Sequence, residues 1–161
     1  MPITCISVEE AVRRHDELVS RYGRAPGLLS EATLEHILER VREHEGDIFD
    51  RAALLLRATA VWHPFMDGNK RTAFYLAVRL LKLNGYELAG ETSEIVSFML
   101  SVARGDKSIK DVRQWLRQHS REKAVLHGRG KPSPRRQGEL DEVDEQILAD
   151  FDEVFRELAK H

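Results

Sequence analysis

The chain has 161 residues, enough for one compact domain with an appendage and too few for two full enzyme domains. Hydrophobic residues make up 42% of it and charged residues 32%, which supports a real core, while a mean hydropathy of −0.44 and the lack of any long apolar run argue against a spanning helix. The net charge of −2 conceals a division: residues 1–120 sum to zero, 121–138 to +5 and 139–161 to −7, a neutral body, a basic connector and an acidic tail.

The first residues reach an acid by position 9 and hold no apolar run of signal-peptide length, so a cytoplasmic protein is expected. The single cysteine, Cys5, excludes an internal disulfide and a multi-cysteine zinc site, and reads as a small buried thiol. Strand signals are nearly absent, and glycines punctuate amphipathic segments, so the expected class is all-α. Ser7, with Glu10 at the capping-box position, starts a helix that ends near Tyr22, before Gly23 and Pro26-Gly27. Ser30 caps a second helix with a Leu34, Ile37, Leu38, Val41 stripe. From Phe49 to Trp62 the sequence is apolar around most of a helical circumference, which marks a central helix surrounded by others. A fourth helix covers 69–84, and two more fall near 92–104 and 108–119, separated by Gly105.

Residues 121–138 are rich in Gly, Pro and cations and read as a flexible linker. Beyond them, Leu140, Val143, Ile147, Phe151, Val154 and Leu158 form the stripe of one acidic amphipathic helix over 139–161. That stripe requires a covering surface.

The chemistry-bearing segment is His63-Pro64-Phe65-Met66-Asp67-Gly68-Asn69-Lys70-Arg71. Pro64 disfavours helical geometry at His63, so the imidazole should emerge at the end of the central helix. Asp67, Gly68 and Asn69 then turn into a helix whose first amides lack intrahelical partners, and with Lys70 and Arg71 beside them they form an anion site, most naturally for phosphate. Taken singly, His63 reads as a helix cap, Asp67 and Asn69 as N-cap residues, and Lys70 and Arg71 as solvated charges. Together they conflict with structure alone, because cations in a first turn oppose the helix dipole by ~0.3–1 kcal/mol each. The motif is not a Walker A loop, since its glycine spacing is wrong and no buried parallel strand precedes it.

This motif resembles the signature of the Fic/Doc superfamily, and specifically the death-on-curing (Doc) toxins of toxin–antitoxin modules. The similarity extends to SVEEAVRRHDELVSRYG, the Pro-Gly at 26–27, RTAFYLAVRLLKLNGYEL and the helix near DVRQWL, covering roughly residues 5–119. The resemblance implies a compact Fic/Doc-like bundle of about six helices in a catalytic domain over 1–120, with the linker 121–138 and the tail helix 139–161 following. It implies His63 as general base, Phe65 as buried anchor, Asp67 as Mg²⁺ ligand, Gly68 and Asn69 as amide donors to phosphate, and Lys70 and Arg71 as holders of ATP phosphates. Fic adenylyltransferases resemble HxFx(D/E)GNGRxxR, whereas this chain has Lys70 for the second glycine and Phe74 for the last arginine. The resemblance therefore implies γ-phosphate transfer from ATP to a protein Ser or Thr hydroxyl, with translation elongation factor Tu as target and arrested protein synthesis as the outcome. AMP transfer is the runner-up. A non-catalytic module binding nucleic acid or protein is the third reading, resting on the basic RGKPSPRR connector.

Doc toxins are restrained by Phd-family antitoxins, and residues 147–158 resemble such an antitoxin segment in acidity and Phe spacing. The tail is expected to be antitoxin-like and to dock on its own body or on a neighbouring copy; a dimerisation helix and an exposed tail are the alternatives. The remaining histidines, 15, 36, 44, 119, 127 and 161, show no metal-ligand spacing.

Overall fold

A computed structural model describes residues 3–123 and 142–161. Residues 124–138 of the expected linker, and Leu140 of the tail stripe, lie outside the described residues. Helices dominate in the order α1 (Val8–Tyr22), α2 (Glu31–Glu43), α3 (Ile48–Trp62), α4 (Asn69–Leu83), α5 (Thr92–Ala103), α6 (Ile109–Gln118), α7 (Glu142–Asp150) and α8 (Asp152–Leu158). The class is all-α, with one small ribbon. Among the described residues no helix is long and apolar enough to cross a membrane.

The helix starts follow from capping chemistry. Ser7 Oγ accepts from Glu10 N, Ser30 Oγ from Thr33 N, and Asp47–Asp50 and Ser108–Asp111 form reciprocal capping boxes. At α1 the expected box is only half made, because the Glu10 carboxylate accepts from Arg79 Nη1 at 2.9 Å instead. A long-range cation outcompetes the local amide there.

Helix α3 is the hub, packed against α2, α4, α5 and α6. Its Ala52, Ala53, Leu55, Leu56 and Ala60 are buried on several sides, as its near-uniform apolarity predicts. Cys5 departs from expectation: it is only half-buried, with Sγ 3.6 Å from Ile3 O.

Two boundaries differ from the sequence reading. Ser120–Glu122 forms strand β2, antiparallel to β1 (Tyr86–Leu88), so the body does not yield to a linker at 121. Charge and glycine content suggest a linker, but backbone pairing, extended by Lys123 N to Gly85 O at 2.8 Å, holds this stretch. The tail is also two helices rather than one. Phe151 (φ −120°, ψ 20°) breaks the helix and meets Phe74 edge-on at 5.1 Å, while Phe155 lies 6.1 Å from the same ring.

The tail docks on its own body. Ile147, Leu148, Phe151, Val154, Phe155 and Leu158 are all buried, each worth ~1.5–3 kcal/mol in removed apolar surface. Asp144, also fully buried, accepts from Tyr75 Oη and from Arg79 Nε at 2.9 Å, and its other oxygen lies 3.2 Å from Arg14 Nη2. Tyr22 Oη adds a bond to Asp152 at 2.8 Å.

Candidate active site

Helix α3 ends at His63, which adopts the left-handed conformation (φ 50°, ψ 63°) and exposes its imidazole. That conformation is strained for a residue bearing a side chain, and such strain persists where neighbours fix it. Backbone bonds from the facing segment do so here: Pro64 O accepts from Leu29 N at 2.8 Å and Ser30 N at 3.0 Å, and Met66 N donates to Gly27 O at 3.0 Å. Residues 27–30 thus form a short antiparallel brace, with Leu28 bridged to Phe65.

Phe65 is buried and anchors the loop from beneath, its ring stacked on His15 at 4.0 Å and nearly parallel, at 6°. His15 Nε2 also meets Asp67 O at 2.7 Å. Burial draws the His15 pKa below its ordinary value, which favours a neutral ring able to donate to that carbonyl. Asn69 completes the brace: its Oδ1 accepts from Phe65 N at 3.0 Å and its Nδ2 donates to Phe65 O at 2.9 Å. The Asn69 side chain thus ties the loop through both its oxygen and its nitrogen.

Gly68 (φ 73°) caps α4 without a side chain, and a Cβ there would lie 2.9 Å from Arg71 Nη2. Both the torsion and the close guanidinium favour glycine. The Gly68 N–H is taken by Asp67 Oδ1 at 2.8 Å, so the amides at the very start of α4 are the ones left facing outward.

Arg71 is the unusual member. It is 1% exposed, donates from Nη2 to Gly23 O at 2.8 Å, and among the described residues its buried Nε and Nη1 meet no hydrogen-bond partner. Burial lowers its pKa from the usual arginine value, with the Asp67 charge acting in the opposite direction. A guanidinium stays charged under such a shift, so both nitrogens keep their hydrogens as donors.

His63, Asp67, Gly68, Asn69, Lys70 and Arg71 all line one cleft of about 170 Å³. Sequence reasoning places each of these in the site. It misses Arg24, which lines the same cleft with Nη1 4.0 Å from Asp67 Oδ2, and the tail residues Leu158, Ala159 and His161, which complete its wall. It also misses His15, whose partner is 52 positions away and leaves no local pattern. Phe74 does not line the cleft; it is fully buried against the tail. A larger groove of about 640 Å³ runs between α5 and α8, but its charged walls are Glu91, Glu153 and Glu157, which would repel phosphate.

Residues 5–81 match the profile of the Fic/DOC family. The chain belongs to that family. It is 37% identical over 117 residues to a protein named Protein kinase doc from Escherichia phage P1, an alignment spanning 70% of this chain and 92% of that protein. A shorter stretch of 44 residues is 46% identical to Toxin Doc of Mycolicibacterium smegmatis, covering 27% of this chain and 34% of that one.

Proposed function

We propose that this chain is a Doc-type toxin that transfers the γ-phosphate of ATP to a Ser or Thr hydroxyl of a protein, with elongation factor Tu in the cytoplasm as target and arrested translation as the result. The observation that carries this reading is Arg71, a buried arginine in the wall of the cleft that also holds His63, Asp67 and Lys70, with two guanidinium nitrogens that meet no acceptor among the described residues. Leaving such donors unmatched costs ~1–3 kcal/mol, a cost an incoming phosphate would offset.

The residues define a balanced step. His63, exposed at the cleft, takes the proton of the acceptor hydroxyl. The hydroxyl oxygen bonds to the γ-phosphorus as the bond from that phosphorus to the bridging oxygen breaks, and ADP departs with the electron pair. Lys70, Arg71 and the first amides of α4 meet the charge on the phosphoryl oxygens.

Asp67 is the one side-chain carboxylate among the described residues that line the cleft, and no cluster of three or more His, Cys, Asp or Glu exists among the described residues. Asp67 would hold the Mg²⁺ that accompanies a nucleotide, an ion that takes one or two protein carboxylates rather than a protein-only cage. When bound, Mg²⁺ supplies charge neutralisation on the phosphates. Lys70 stands where adenylyl-transferring relatives have glycine, filling room that an α-phosphate would need, and this favours movement of the terminal group. Exposed Leu29, Trp62 and Met66 lie along the braced loop, an apolar rim suited to a protein acceptor. A Phd-like antitoxin is the partner expected in trans.

The test is transfer to elongation factor Tu from ATP labelled at either end. Label from the γ-position should appear on the target, and His63→Ala should abolish it with unchanged thermal unfolding. Transfer of α-label alone would establish AMP transfer instead, and full transfer by His63→Ala would remove the proposed base.

A further inference from the structure

We propose that His15 is a positioning residue for Asp67, holding its main chain from behind the motif loop so that one carboxylate oxygen is presented to the cleft; this rests on reading the cleft as a nucleotide site and Asp67 as its Mg²⁺ ligand. His15 lies on the buried face of α1 with Ala11 and Leu18, is 1% exposed, and does not line the cleft itself. It can act there through another residue.

A buried imidazole costs more than a buried phenyl ring unless its polar edge is matched. Nε2 meets the Asp67 carbonyl at 2.7 Å, and because a carbonyl accepts, this nitrogen carries the hydrogen. Nδ1 is turned to Asp16 Oδ1 at 3.7 Å. The parallel stack on Phe65, 4.0 Å away, fixes the tilt of the ring that makes the bond.

Asp67 is thereby tied at two points. Its carbonyl is held by His15 and its Oδ1 accepts from Gly68 N at 2.8 Å, while Oδ2 faces Arg24 Nη1 at 4.0 Å, both residues lining the cleft. The neighbouring backbone is secured separately: Pro64 O accepts from Leu29 N and Ser30 N, Met66 N donates to Gly27 O, and Asn69 spans Phe65. Loss of the His15 bond therefore releases Asp67 and leaves the rest of the loop braced. Groups that orient a metal ligand from behind change metal affinity by ~10–100-fold when removed.

Two substitutions divide the ring from the bond. His15→Phe keeps a ring against Phe65 and removes the donor, whereas His15→Gln loses the ring and keeps a donor. Calorimetry on the full chain measures ATP affinity in Mg²⁺ and in EDTA, with thermal unfolding recorded for each variant. His15→Phe should weaken MgATP binding about tenfold and leave metal-free ATP binding within about twofold, and His15→Gln should stay within about threefold of the unaltered chain in both. In an Asp67→Asn background, His15→Phe should change MgATP affinity by less than about twofold, since the residue it acts through is gone. Unchanged MgATP affinity in His15→Phe, equal losses with and without Mg²⁺, or a loss in His15→Gln beyond that threefold limit would overturn the positioning role and leave the site reading intact. Absence of ATP binding by the unaltered chain would overturn both.

Discussion

Helix α4 carries two buried arginines, Arg71 and Arg79, at 1% and 0% exposure. Arg79 is met by Glu10 at 2.9 Å and by Asp144 at 2.9 Å, carboxylates brought from α1 and from the tail. Arg71 is met by one carbonyl, with Nε and Nη1 unmatched. The same residue type on the same helix thus serves opposite ends: Arg79 completes the fold, and Arg71 remains incomplete where the fold opens on a cleft. Buried polar groups are ordinarily paired, and among those left without a hydrogen-bond partner in the described residues Arg71 stands out because it also lines the cleft, which is why the proposed function assigns it to a ligand.

Substitutions at the two ends should separate stability from function. The largest stability effect is expected from Asp144→Ala, which takes the carboxylate from between two buried guanidiniums and should cost ~3–5 kcal/mol in urea unfolding. A loss under ~1 kcal/mol would mean that the tail is held by its apolar stripe alone. Arg71→Met should behave in the opposite way. The lost bond to Gly23 is offset by relief of two unmatched donors, so stability should move by no more than ~1 kcal/mol, while phosphate transfer to the acceptor, followed by label incorporation, should fall about 100-fold. A strongly destabilised Arg71→Met with normal transfer would erase the distinction between the two arginines.

Much of this architecture is legible in the sequence because it is local. Ser7, Ser30 and Asp47 start helices through side-chain oxygens a few residues from the amides they cap, and the apolar span of α3 announces its central position. The motif from His63 to Arg71 is likewise contiguous, so nine neighbouring letters suffice to name its residues. The parts that sequence conceals depend on distant partners. His15 meets Asp67 across 52 positions, Asp144 meets Tyr75 across 69, and Arg24 meets Ala159 across 135. In sequence His15 is one more histidine and Asp144 one more acid in an acidic tail. The break at Phe151 is hidden for a related reason, since heptad-like spacing fits one helix as well as two until Phe74 supplies the surface that both phenylalanines must reach.

The most direct measurement is an amide NMR titration of the full chain with MgATP. Saturable shifts should concentrate on Asn69, Lys70 and Arg71 at the start of α4, with Arg79 and Asp144 unmoved. Shifts confined to the acidic groove around Glu91 and Glu157, or no saturable shift at all, would contradict the assignment of the α4 cleft as the phosphate site.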